Sequence, residues 1–203
     1  MRFEKGEIFL LIFNLIYIIV FTTYYLIIKN YEFLWYVMVL VFFAVLIILT
    51  IRKSNFDYII LGGLSIWGLL HMAGGGVIIQ GKVLYAFHLI PIIDSGEIFI
   101  LKYDQLVHFF GFGVSTLVGF HLLKPYLNDK VNWKIVYSAL VLIGMGFGAL
   151  NELVEFIAVI LFDRTGVGGY YNSALDLTFN TLGAITAVVF IHLQKKFKIT
   201  INN

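Results

Sequence analysis

Polar positions along this chain are sparse, and their spacing divides it into six apolar runs separated by short polar or glycine-rich breaks. The runs cover roughly residues 7–28, 33–51, 58–79, 104–123, 133–162 and 172–193. Each is about twenty residues or longer, enough to cross a hydrocarbon core of about 30 Å as a helix. The pattern predicts an all-α, polytopic transmembrane bundle of six spans, a single integral membrane domain over residues 1–203. The fifth run, at about 30 residues, is too long for one upright span. It contains Gly144, Gly146 and Gly148, so it tilts, kinks or projects beyond the membrane. Gly144 and Gly148 have the small-xxx-small spacing that lets a neighbouring helix approach closely. The first two spans hold little that is polar beyond Asn14, Thr22 and Thr23. The longest connection, residues 80–103, mixes VLYAFHLIPII with Asp94, Gly96 and Glu97. It reads as a lid or a partly re-entrant segment.

Composition sharpens the class. Hydrophobic residues make up 61% of the 203 and charged residues 13%, with a mean hydropathy of +0.94. A soluble domain carries about 25% charged residues, so a water-facing surface is excluded. With no cysteine, disulfides, thiolate metal sites and cysteine nucleophiles are excluded as well. A net charge of +2 without a basic, aromatic-interleaved run gives no nucleic-acid face; the partner is the lipid bilayer. The stretch after MRFEKG has no A-x-A-like cleavage site and reads as a retained first span. Placing the N-terminus inside puts ten basic residues on the inner segments: Arg2, Lys5, Arg52, Lys53, Lys124, Lys130, Lys134, Lys195, Lys196 and Lys198. Lys29, Lys82, Lys102 and Arg164 then lie outside. That bias predicts a multi-pass protein of the inner or plasma membrane with both termini cytoplasmic.

This topology gathers the intramembrane polar residues. His71 falls toward the outer end of the third span. Asp104 stands at the outer rim of the fourth, as a helix cap or a site residue, with His108 four residues on and on the same face. The fifth brings Asn151, Glu152 and Glu155 near its outer third. The sixth presents Asn172, a candidate cap, then Asp176 and Asn180 along one stripe. A carboxylate facing lipid is expensive, so these groups are expected inside the bundle, where carboxylates outnumber counter-charges. Proton sharing or a divalent metal ion can compensate, and His with carboxylates suits zinc, manganese or magnesium. The candidate catalytic residues are His108, Glu152, Glu155, Asp176 and Asn180. Candidate metal ligands are His71, Asp104, His108 and Asp176. Arg164, beside Asp163 as a candidate interfacial ion pair, and Asn172 are candidate substrate contacts. No H-E-x-x-H, paired E-x-x-H or GxxxxGK[ST] motif occurs, and GVST at Gly113–Thr116 is a faint serine-nucleophile pattern with no evident base. Inverted repeats of the transporter kind are not evident.

Four blocks in order carry a resemblance: HMAGG (His71–Gly75), YDQLVHFFGFG (Tyr103–Gly113), NELVEF (Asn151–Phe156) and NSALDLTFNTLGA (Asn172–Ala184). Together they resemble the YjdF-like uncharacterised prokaryotic inner-membrane family. The last three are more distantly similar to VanZ-like membrane proteins, whose final D-x-x-x-N-x-x-G helix corresponds to Asp176, Asn180 and Gly183. The YjdF-like pattern has an acidic residue one turn before Asp176, where this chain has Asn172. The resemblance implies a six-span fold with an outward-facing polar cluster and, through the VanZ-like proteins, chemistry on cell-envelope or lipid-linked substrates. The expectation is a metal-assisted enzyme, a hydrolase of a lipid-linked substrate. The alternatives are a proton- or cation-coupled transporter component and a structural assembly protein.

Overall fold

The computed structural model describes residues 3–95, 98–128 and 130–201. Arg2, Gly96 and Glu97 lie outside them. Six long helices follow in order: α1 (Lys5–Ile28), α2 (Tyr31–Ser54), α3 (Tyr58–Gly76), α4 (Tyr103–Leu123), α5 (Trp133–Leu161) and α6 (Tyr170–Ile201). All six are long and apolar enough to cross a membrane.

Local chemistry sets the helix starts. Asn30 accepts a hydrogen bond from Phe33 N at 3.1 Å, Asp57 from Ile60 N at 2.9 Å, and Asn132 from Lys134 N at 3.0 Å. Each satisfies a backbone N–H that has no partner within its own helix. α3 stops three residues before the expected boundary, at Gly74-Gly75-Gly76, where Tyr85 and Phe33 lie against Gly74 and Gly75.

The segment between α3 and α4, expected as a lid or a partly re-entrant segment, is built of strands. It forms two antiparallel hairpins, β1 (Ile78–Ile79) with β2 (Lys82–Val83), and β3 (His88–Asp94) with β4 (Phe99–Lys102). A 3₁₀ turn, Leu84–Ala86, lies between them. Gln80 and Gly81 turn the first hairpin with φ of 51° and 78°, the left-handed pair a tight hairpin needs.

Consecutive helices alternate in direction, and contacts fix the end where the termini lie. There Arg52 pairs with Glu7, the Tyr58 hydroxyl donates to Glu4 at 2.8 Å, and His121 Nε2 bonds Ser54 O at 2.8 Å. Lys195 sits over the Trp133 ring at 3.3 Å. The hairpins and the start of α4 occupy the opposite end.

Two packing styles hold the bundle. Tyr17, Tyr25, Phe33, Tyr36, Val37 and Met72 form an aromatic-rich core among α1, α2 and α3, closed on one side by Ala158 of α5. α4 and α6 instead touch through backbone: a Cβ on Gly183 would lie 2.1 Å from Phe109 O. Gly144 of α5 faces Thr116 and Ala184, and Gly148 faces the Asn180 side chain. The expected small-residue packing of α5 is therefore its contact with α4 and α6.

Candidate functional site

The start of α4 is fixed by a side chain that the sequence pattern did not single out. Gln105 is fully buried. Its Oε1 accepts from Leu101 N at 2.6 Å and Lys102 N at 3.1 Å, and its Nε2 donates to Phe99 O at 3.0 Å. These bonds clamp the end of β4 onto the first turn of α4. Leu101 takes a φ of 84° there, a backbone region that costs a non-glycine residue of order 1–3 kcal/mol. With Gln105 serving the N-terminus, Asp104 is not the N-cap, a position held by Lys102. Asp104 is left to face the bundle.

Four residues beyond Asp104 on α4, His108 is buried and is the hub of the site. Its Nδ1 lies 3.0 Å from Asn180 Oδ1. An amide oxygen only accepts, so Nδ1 donates this bond and Nε2 faces the other side. That nitrogen is 3.6 Å from Asp104 Oδ1 and 3.8 Å from Glu155 Oε1. Glu152 Oε1 lies 3.9 Å from Nδ1. The residues of α4, α5 and α6 converge because Gly148 leaves room for Asn180 and Gly183 brings α6 onto the α4 backbone. Two sets of three donor groups result, each with ligand atoms within 4.8 Å of one another: Asp104, His108 and Asp176; and His108, Glu152 and Glu155. His108 belongs to both.

The bonds around these groups are incomplete. Asp176 is fully buried; its Oδ2 accepts from Asn172 Nδ2 at 2.5 Å, while Oδ1 has no partner. Glu152 Oε1 and the Nδ2 of fully buried Asn180 also lack one. Buried polar atoms are nearly always hydrogen-bonded, to protein or to ordered water, so these three atoms around one histidine have capacity for a further partner. Asn151 Nδ2 donates to Glu155 Oε1 at 2.8 Å. At the rim, Asn172 bridges Asp104, at 3.3 Å from Oδ2, to Asp176. Lys102 Nζ reaches Asn172 Oδ1 at 3.4 Å. Asn172 lies within the first turn of α6 with its side chain spent on the two aspartates. It orients them and does not cap the helix.

The remaining sequence candidates fall elsewhere. His71 belongs to neither donor set. It sits among the rings of Phe33, Tyr36 and Tyr85, with centroids 5.4–6.0 Å away, and its Nδ1 accepts from the Tyr85 hydroxyl. Burial, with Asp104 and Glu155 nearby, pushes the Tyr85 phenol well above its usual range, so it keeps its proton. Arg164 lies in the loop between α5 and α6, lining a surface cleft with Lys29 and Asp163. Among the described residues, Asp163 and Arg164 form no ion pair within 4.0 Å. Ser115 donates to Gly111 O at 2.9 Å in the buried α4 face, which removes GVST as a nucleophile.

Glu32 escaped the sequence reading because it stands one residue before the expected second span. It is buried, accepts from Gly166 N at 2.7 Å and from the Tyr36 hydroxyl at 3.3 Å, and so ties α2 to the α5–α6 loop. Tyr85 was missed because nothing in VLYAFHL sets one aromatic apart.

No curated protein and no solved structure is similar enough to this chain to count as a match. A family model does match, over residues 9–197, a range that reaches from α1 into α6 and includes every residue of the His108 cluster. The chain belongs to the family described as "Predicted membrane protein (DUF2238)".

Proposed function

We propose that this membrane protein is a metal-assisted hydrolase acting on a lipid or lipid-linked cell-envelope substrate. The observation that carries the reading is the shared use of His108 by two three-residue donor sets beside buried, unpartnered atoms of Asp176, Glu152 and Asn180. Asp104, His108 and Asp176 would hold the ion, with Glu155 beside His108 Nε2; oxygen and imidazole donors fit zinc, manganese or magnesium. A bound divalent ion supplies polarisation of a phosphoryl or carbonyl oxygen and of water. Asn180 keeps the His108 proton on Nδ1 and so its Nε2 lone pair toward the ion. Glu152 Oε1, unbonded, is the base that accepts a proton from water. Asn180 Nδ2 has a donor to spare for a substrate oxygen. Asn172 and Lys102 orient the two aspartates at the rim, where substrate enters.

The finer kinship to YjdF-like and VanZ-like proteins belongs to this proposal; its support is the order of the motif blocks and the substrate class they imply. Cytoplasmic termini, and with them an outward-facing site, are supported by the ten-to-four distribution of Lys and Arg. No observation favours transport: immediately below the site, Thr116 and Ala184 are fully buried, and Gly144 lies against both.

The test is metal analysis of the purified protein and of a His108→Ala/Asp176→Ala double variant. Stoichiometric metal in the parent, lost from a variant that stays folded, is expected. A metal-free parent that also fails to bind added zinc, manganese or magnesium overturns the reading.

A further inference from the structure

A second feature lies away from the His108 cluster, along the lipid-facing junction of α2 with the end of α5. A polar surface cleft of about 680 Å³ opens between the α1–α2 turn and the α5–α6 loop. Lys29 and Asn30 line one side, Asp163, Arg164 and Thr165 the other, and Glu32 the floor. An apolar groove of about 330 Å³ adjoins it, walled by Thr22, Leu34, Trp35, Val37 and Met38. Tyr31 and Phe162 line both. The cleft lies at the helix ends, and the groove runs one to two turns down α1 and α2, toward the membrane interior. Polar at the end and apolar below is the order in which a lipid sits in a leaflet.

Charge selects the head group. Four charged residues line the cleft: Lys29, Arg164, Glu32 and Asp163. Glu32 is committed to Gly166 N and the Tyr36 hydroxyl. Among the described residues, neither Lys29 nor Arg164 has a carboxylate within 4.0 Å. Asp163 is the one carboxylate of the cleft not committed to such hydrogen bonds, so two cations, one a guanidinium whose planar fork matches phosphate, outnumber it and favour an anionic head.

We propose that the cleft and groove together bind one phosphate-headed anionic lipid, its head between Lys29 and Arg164 and an acyl chain along Trp35. The site does not depend on a metal at His108. The bound lipid would bridge α2 to the loop between α5 and α6. Trp35 forms the groove wall and donates its Nε1–H to Val154 O at 3.2 Å, next to Glu155, so the chain lies one side chain away from the turn that carries the acids.

Trp35 is also the reporter. The full chain carrying Trp67→Phe and Trp133→Phe is placed in phosphatidylcholine vesicles with a small fraction of acyl-brominated phosphatidylglycerol, or with brominated phosphatidylcholine instead. Preferential Trp35 quenching by the anionic lipid is expected, of order tenfold for two basic side chains at the head group. It should fall to parity in Lys29→Gln/Arg164→Gln and persist in Lys29→Arg/Arg164→Lys. Equal quenching by the two lipids in the parent, as for bulk annular lipid, overturns the proposal. So does a preference that survives removal of both charges.

Discussion

The α1–α2 pair and the α4–α6 pair use opposite means of holding helices together. Only 11% of the apolar stretch of α1 and 17% of that of α2 is buried, against 44% in α4. Where α1 and α2 do pack, large rings do it: Tyr25 of α1 meets Phe33 of α2 at 5.1 Å between centroids, and Phe33 in turn packs on Tyr36 of its own helix at 5.2 Å. Rings can tilt and slide at modest cost. α4 and α6 meet through glycine, main chain against main chain, with no side chain between to absorb an error. Lipid tails are as apolar as leucine, so association in a membrane rests on such close packing and on interhelical hydrogen bonds. The polar cluster belongs to the rigid pair. A site that must keep a histidine about 3.0 Å from Asn180 needs helices that cannot slide.

The comparison breaks most sharply at glycine. Gly183→Ala puts a methyl carbon 2.1 Å from Phe109 O and 3.0 Å from Gly113 N, both main-chain atoms. The helices must separate, at about 3 kcal/mol or more. Gly75→Ala makes an even closer contact, 1.9 Å, but with the far end of the Phe33 ring, which can turn aside for about 1 kcal/mol. Thermal unfolding in detergent should rank Gly183→Ala well below Gly75→Ala. The reverse order would mean that the aromatic core, not the glycine crossing, is the rigid element.

The next effect separates a functional cluster from a structural lock. Asp176 is buried with one oxygen unpartnered, so as a carboxylate it burdens the metal-free fold. Asp176→Asn keeps the shape and removes the charge. In chelator-treated protein the variant should be more stable than the parent by about 1–3 kcal/mol, while calorimetry shows its divalent-ion binding lost. If the cluster serves only to join helices, the same change lowers stability and alters no ion binding.

Smaller still is the effect of a polar tie across the α2–α5 seam. Trp35→Phe removes the bond to Val154 O and should cost about 0.5–1.5 kcal/mol, read as a lower unfolding midpoint. The ring is retained, so packing in the aromatic core is kept. A loss much larger than that would show the α2–α5 seam to be more rigid than its ring packing implies.

The legibility of these regions in the sequence differs for the same reason. Spans could be read because an apolar run long enough to cross a bilayer is a one-dimensional property. Asp104, His108, Glu152, Glu155, Asp176 and Asn180 could be grouped because alternating helices place them at one end, and lipid excludes them from the outside. His71 passed the same filter of type and depth but turns toward Tyr85, a choice of face that depth does not determine. Gln105 was illegible because its role is to serve backbone of β4, and the hairpins themselves were masked by VLYAFHLIPII, which shows no two-residue alternation. Glu32 stands just outside an apolar run, where nothing in the sequence marks it as a buried tether.

The smallest effect tests the claim that α5 uses only one of its glycine faces. Gly144 and Gly148 abut Thr116, Ala184 and Asn180, whereas a Cβ on Gly146 meets nothing within 4 Å. Gly146 therefore serves no close approach, and inside a helix it carries only the cost of backbone freedom. Gly146→Ala should leave the packing untouched and raise stability by at most about 1 kcal/mol, with ion binding unchanged. The paired change Gly148→Ala meets Asn180 Nδ2 at 2.5 Å and its Cβ at 2.9 Å; it should push the amide off His108 and weaken ion binding even where the fold survives. Two alanines two residues apart, one harmless and one not, measure how narrowly the His108–Asn180 contact is set by the face of α5 beneath it.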